Sequence, residues 1–443
     1  MTAQKRSENL QSVPISVAAV SGESLERQKI TNIAGLANSI PNVQINQWAN
    51  SPDSAVFTIR GVGVNDPDPY VGTTVSVVVD GVVVGVNTAA LSNLFDIERV
   101  EILRGPQGTL FGANTTGGVI NVVTKQPTGE FGGEAQVTYG NYNRLELNAA
   151  VNFPLADHLA GKISVLHTGR DGYFKNVLTG ANLGKVDMTN LRAYLKFDGG
   201  SAYNATLIGE YGRSRNDSQT NLNLSDSSLL IYDPVYSSPN NKGYSRGQST
   251  DQPNYNNRDS YSATLTQNIG TGLGDIVSIT NYRSYNHDLY SDDDAVPAVL
   301  LQSRRQIKHE QYSQELRDTV NLTDAVQMIF GGFAFHQKYS LIQGTKLDGF
   351  ALGLGQPQTQ RQRSTSLSAF SQLYAQLTDK LRLQAGLRYA YLRHGRPVRA
   401  HRCSIVYIKA EKMVSLFGGR ERKSVICCVT SFTHRESAEF PRV

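Results

Sequence analysis

The residues of this chain that could do chemistry are few and scattered. A Gly-rich run from Gly105 to Gly118 invites comparison with a phosphate loop. It lacks the Gly-Lys-Ser/Thr ending whose lysine and hydroxyl reach phosphate and metal, and its glycines suit tight turns with positive φ. Asp292, Asp293 and Asp294 form a carboxylate run of the kind that binds a divalent cation through oxygen, in a polar stretch that equally suits a solvated loop. His287, His309 and His336 fall in separate segments. Cys403, Cys427 and Cys428 are the only cysteines, and no histidine stands at zinc-ligand spacing from the adjacent pair. Ser, His and Asp occur without a nucleophile elbow or a triad-like context. These residues point to no catalysis, no metal and no cofactor, and the chain reads as a non-enzyme.

The elements that carry these residues fall into two regimes. In residues 10–127, Ser24–Ile40 reads as two short helices, Glu23–Arg27 and Asn32–Ala37, the second stopped by Pro41. Val56–Arg60, Val75–Val79, Val100–Leu103 and Val119–Thr124 are β-branched runs bounded by Gly, Pro and Asp, and read as strands. Phe95–Arg99 reads as a helical turn. From Phe131 onward the pattern becomes strict alternation. Leu145, Leu147, Ala149, Val151 and Phe153 are apolar, with Glu146, Asn148 and Asn152 between them. Leu191–Phe197, Tyr203–Leu207 and Leu381–Tyr391 repeat the pattern. Period 2 over such lengths gives a strand with one apolar and one polar face. Strands of about 10 residues suit a tilted bilayer crossing around a wet lumen.

Eleven strands are expected, near 131–140, 143–153, 160–169, 189–198, 201–211, 257–269, 275–286, 306–319, 326–340, 365–377 and 381–393. Their connections alternate between tight turns and mostly long loops, as in outer-membrane barrels. No fixed repeat length marks a solenoid. No apolar stretch is long enough for a membrane helix, since Val75–Val86 is broken by Ser76, Asp80, Gly81 and Gly85. The excess of Lys+Arg over Asp+Glu, 43 against 38, belongs to the end of the chain, where residues 396–443 hold ten against four. It is therefore not the footprint of a nucleic-acid-binding surface.

The stretch Ile97–Gly112, continuing through Thr116–Lys125, resembles the plug signature of the TonB-dependent receptors. Phe57–Gly61 and Val79–Val82 match two further plug motifs in order. Ser313–Arg317 and Leu381–Tyr389 look like the family's barrel strands. The resemblance covers residues 3–393. It implies an antiparallel transmembrane β-barrel of about 22 strands, half present here, behind a small α/β plug. It implies a place in the bacterial outer membrane and uptake of a scarce nutrient, foremost a ferric siderophore, otherwise carbohydrate, vitamin B12 or haem. The TonB complex of the inner membrane would supply the energy, with outer-membrane lipid as the surround.

The implied division is a remnant of the coupling segment at 1–9, a plug at 10–127, a partial barrel at 128–393 and a tail at 394–443. Alternation stops in that tail, and a frameshift is its simplest account. The signal peptide, the TonB box and the rest of the barrel are expected to be missing. The plug motif residues are Gly61, Asp80, Gly81, Gly105, Pro106, Gly108, Gly112, Gly117 and Gly118. Because a buried arginine needs a carboxylate, Arg60 and Arg104 are expected to latch the plug to the wall at Glu315. Gln47, Trp48, Asn50, Asp66 and Tyr70 are expected to face the cargo. A porin lacks such a plug. A secreted β-rich binding module would instead bury the apolar strand faces in a sandwich core.

Overall fold

The computed structural model describes residues 16–48, 51–66, 71–86, 94–176, 178–229, 254–297, 300–346, 357–378, 381–394, 401–411 and 425–430, together with Lys5, Asp68, Pro234 and Ser237. Side chains of residues 38, 47, 48, 51–54, 346, 394, 401–411 and 425–430 lie outside the description.

The N-terminal unit is built on two small sheets. Its strands are β1 (Val17–Ser21), β2 (Val43–Trp48), β3 (Ser51–Ile59), β4 (Val62–Gly63), β5 (Val75–Val79), β6 (Val82–Val83), β7 (Ile97–Arg104) and β8 (Gly118–Thr124). One sheet runs β1-β7-β8-β5-β6 and the other β2-β3-β4. β5 lies parallel to β8, and the other pairings in both sheets are antiparallel. Between the strands stand α1 (Gly22–Arg27), a 3-10 helix (Ile33–Asn38) and α2 (Gly108–Phe111). The Ser21 hydroxyl caps α1 by accepting from Ser24 N, and Asn32 caps the 3-10 helix through Gly35 N. Ile33, Leu36, Ile59, Val100, Ile102 and Ile120 are almost completely buried and join the helices to both sheets in one core. Each such side chain contributes about 1.5–3 kcal/mol by leaving water.

Within Phe95–Arg99, expected as a helical turn, Ile97–Arg99 instead open β7. Glu101 is fully buried, accepting from Arg99 Nε at 2.8 Å and from Asn121 Nδ2 at 3.0 Å. Gln47 and Trp48, expected to face the cargo, stand on β2, whose hairpin with β3 pairs Gln47 with Ala55.

The second unit is a large antiparallel sheet. Its strands are β9 (Gly132–Gly140), β10 (Arg144–Ala156), β11 (Leu159–Arg170), β14 (Val186–Asp198), β15 (Tyr203–Asn216), β16 (Tyr255–Gly270), β17 (Gly274–Asp292), β18 (Gln302–Thr323), β19 (Val326–Lys346), β20 (Gln358–Thr378) and β21 (Leu381–His394). These are the eleven expected strands. Two more, β22 (His401–Glu411) and β23 (Val425–Thr430), continue the sheet past residue 393. The connection after β11, expected as a plain loop, carries a hairpin of β12 (Phe174–Lys175) and β13 (Asn182–Leu183). β17, β19 and β20 run several residues beyond their expected ends toward the long connections, and β18 is longer at both ends.

Burial along the strands is inverted relative to a water-soluble sandwich. Leu145, Val151, Leu195, Leu207, Leu316 and Leu387 are exposed, each more than 40% accessible. Their neighbours on the opposite face, among them Lys162, Arg192, Gln311, Glu315 and Arg388, are buried. A polar face packed inward and an apolar face turned out is the arrangement of a transmembrane barrel. The polar face is covered by the N-terminal unit.

Candidate functional site

The polar face of the sheet holds the plug through side chains from four strands. Near the short-turn end of β11, buried Lys162 donates to Asp96 Oδ1 at 2.5 Å, and Ser164 donates to the other carboxylate oxygen. On β14, the Arg192 guanidinium donates to the Phe95 carbonyl at 3.1 Å and lies 4.4 Å from the Phe95 ring centroid. Arg192 is itself held by Glu210 of β15 at 2.9 Å. On β18, the Gln311 amide pairs with the plug backbone in both senses, accepting from Gly85 N and donating to the Val83 carbonyl, each at 2.9 Å. On β21, Arg388 donates to the Thr109 carbonyl at 3.2 Å. Plug and wall are therefore joined by backbone amides and carbonyls as well as by charges.

Glu315 is at the centre of the expected latch, but its partners differ. Lys5 donates to Oε2 at 2.5 Å and Arg317 to Oε1 at 2.6 Å. Neither Arg60 nor Arg104 reaches it. Arg60 sits at φ +52 in a two-residue hairpin turn with Gly61, between β3 and β4, and its guanidinium donates to the Ser16 hydroxyl at 2.8 Å. A turn residue whose side chain bends to a neighbouring segment cannot span the lumen. Arg104, at the end of β7, places its backbone N–H on the Ser16 carbonyl at 2.9 Å. The Lys5 ammonium also lies 5.4 Å from the Phe111 ring and 5.2 Å from the Phe370 ring, so an aromatic clamp surrounds the ion pair. Burial pushes the Lys5 amine down to about 8, against the pull of Glu315.

A second ion pair joins plug and wall nearer the long-loop end, where buried Asp68 meets buried Arg305 of β18. Asp66 accepts from Asp68 N at 2.9 Å and shapes the turn that presents Asp68. Of the residues expected to face cargo, Asp66 thus supports a wall contact. Gln47 and Trp48 lie on β2 with side chains outside the described residues, and Asn50 and Tyr70 lie wholly outside them.

The plug motif residues form turns. Asp80 (φ +48) and Gly81 (φ +85) make the two-residue turn of the β5–β6 hairpin, the geometry that favours Asp-Gly. The Asp80 carboxylate accepts from Thr124 N at 3.0 Å and from the Thr124 hydroxyl at 2.8 Å. Burial raises the Asp80 carboxyl above its ordinary range, with Arg192 opposing. Gly118 begins β8 at φ +150, where an added Cβ would stand 2.3 Å from the Leu103 carbonyl oxygen. Gly105 donates its N–H to the Gly117 carbonyl at 3.0 Å, closing the loop that carries Pro106, Gly108 and Gly112. The run that invited comparison with a phosphate loop is packed turn geometry.

The aspartate run is likewise committed to its own loop. Asp292 accepts from Asp294 N and Ala295 N, and Asp294 accepts from Val296 N and Leu300 N, at 2.9–3.3 Å. Among the described residues, no group of three His, Cys, Asp or Glu is placed to hold a metal.

The wall contacts Lys162, Arg192, Arg305, Gln311 and Arg388 had not been singled out as site residues. Lys162, Arg192, Gln311 and Arg388 share a signal, each being a polar residue on the inward register of an alternating strand, whereas Arg305 stands in a stretch that reads as loop.

Comparison with known proteins agrees with this geometry. Residues 9–119 match the TonB-dependent Receptor Plug Domain. The pesticin receptor of Yersinia enterocolitica is 33% identical over 186 residues, which are 41% of this chain and 27% of the receptor. Vitamin B12 transporter BtuB of Vibrio vulnificus is 26% identical over 44% of this chain and 32% of its own length. The crystal structure of the ferric yersiniabactin uptake receptor FyuA from Yersinia pestis superimposes with a TM-score of 0.71 at 22% identity, covering 94% of this chain and 61% of that one. The aligned stretch therefore spans about a quarter to a third of these curated relatives' lengths. With a plug held on the polar face of an outward-apolar antiparallel sheet, the chain carries the plug domain of the TonB-dependent receptors, and the homologues it partly spans are receptors of that family.

Proposed function

We propose that the receptor represented by this chain imports a ferric siderophore across the outer membrane, with the TonB complex of the inner membrane supplying the energy. The observation that carries this reading is the plug's attachment. Ion pairs and backbone hydrogen bonds from four strands hold it on the polar face. Cargo passing along that face must displace plug contacts, and buried ion pairs do not open without an input of free energy. The cargo class is supported by what similar proteins are called: an uptake receptor for ferric yersiniabactin and an iron-regulated outer membrane virulence protein. A vitamin B12 cargo is the second reading, favoured by the likeness to BtuB.

The test is uptake of radioiron-labelled siderophores and of labelled vitamin B12 by receptor-deficient cells expressing the protein, with and without a functional TonB. The expected result is accumulation of iron that disappears without TonB. Accumulation of vitamin B12 alone would transfer the assignment to the second cargo, and equal uptake without TonB would refute energised import.

A further inference from the structure

Strand register builds a hollow into the polar face of β14–β17. One row across these strands reads Asn190, Gly212, Ser260 and Tyr285, and the next reads Arg192, Glu210, Ser262 and Arg283. Both rows lie on the plug-facing side, since Arg192 holds the Phe95 carbonyl of the plug. Gly212, Ser260 and Ser262 put short side chains in the middle of the rows, with longer ones at the ends. The result is a cavity of about 90 Å³, closed on the plug side by Phe95 and lined also by Arg258. A water takes about 10–15 Å³ of such space, so a group of several heavy atoms fits.

The lining is unbalanced in charge. Arg192, Arg258 and Arg283 face the cavity, and among the described residues Glu210 is its one carboxylate. Glu210 already serves two of the three cations. Arg192 donates to it at 2.9 Å, and Arg283 stands 3.6 Å from its other oxygen. The Arg283 side chain is only 13% accessible. Its Nε is shielded from solvent and, among the described residues, meets no acceptor. The amide nitrogen of Asn190 is in the same position. Buried donors without an acceptor are costly, and so are buried cations that outnumber their carboxylates. One anion in the cavity would answer both.

We propose that this cavity between wall and plug is a binding site for a small inorganic oxyanion, held among Arg192, Arg258 and Arg283 with the Asn190 amide as a further donor. Guanidinium groups suit an oxyanion because their fork of donors matches its oxygens. Sites for whole organic ligands run to about 300–1,000 Å³, so this one is separate from any cargo site and does not depend on the import reading. Because Arg192 also binds Phe95, the anion ties the charge of the wall to the position of the plug.

The test is equilibrium dialysis of the purified 443-residue chain, in detergent micelles, against radiolabelled inorganic phosphate at constant ionic strength. The expected result is a single saturable site from which sulfate displaces the label and equimolar chloride does not. Arg283→Gln should weaken binding by about tenfold or more through loss of a charge-assisted contact. Ser260→Leu, which fills the hollow from the middle of its row, should weaken it as much. Arg215→Gln, on the opposite face of β15 and paired there with Asp259, should leave it unchanged. The two weakening variants act by different means on different strands, so a folding failure in one leaves the other decisive. Absent saturable binding, displacement by chloride, undiminished binding by folded Arg283→Gln or Ser260→Leu, or equal weakening by Arg215→Gln would overturn the proposal.

Discussion

Glu315 carries two cations, Lys5 from the plug side and Arg317 from its own strand. Removing the carboxylate strands both in a poorly hydrated site, and breaking a buried pair this way costs about 3–5 kcal/mol. Glu315→Gln is therefore expected to loosen the segment around Lys5, read as faster amide exchange and proteolysis there. Arg60→Gln removes only an exposed hydrogen bond and should change stability by less than about 1 kcal/mol; a large effect would restore Arg60 to the latch. A pH dependence belongs to the same contact. The Lys5 amine titrates near 10.5 when free and about 8 in place. Between those values the released segment binds more protons than the docked one, so docking strengthens as pH rises from about 8 to 10.5. Protection of the N-terminal segment measured across that window should increase, and the trend should vanish in Lys5→Met.

The elements show why some of this was legible in the sequence and some was not. β10 and β21 follow from Leu145–Phe153 and Leu381–Tyr391, because one side of each strand faces hydrocarbon and the other a polar lumen. The same rule fails beyond the membrane, where both faces are wet. There Arg304, Arg305 and Arg361–Arg363 read as loop but continue β18 and β20. Lys5 was beyond reach because its partner is 310 positions away and nothing local marks the pairing. Turn chemistry was more transparent. Gly118→Ala would place a Cβ against the Leu103 carbonyl, a backbone atom that cannot swing aside. Loss of β7–β8 pairing is expected, with a cost above about 2 kcal/mol from strain and clash. Thermal unfolding of the variant checks it, and an unchanged melting temperature would contradict the stated geometry.

For the whole molecule, the sheet has two ends, β9 and β23, that are not paired with each other. Hydrocarbon does not tolerate unpaired strand edges. The isolated 443-residue chain is accordingly expected to carry no siderophore flux in liposomes, and measurable flux would show that the sheet closes in some other way. The central claim is the inversion of the sheet, with the plug on its polar face and lipid on its apolar face. It is tested most directly by single nitroxide labels at successive positions 309–317 of β18, in outer membranes from cells expressing the protein. Even-numbered positions should contact lipid-dissolved oxygen and odd-numbered ones should be immobile and shielded from it. Deleting the plug should free only the odd set. Equal accessibility at odd and even positions, or recovery of the protein in the soluble fraction without detergent, would contradict the account.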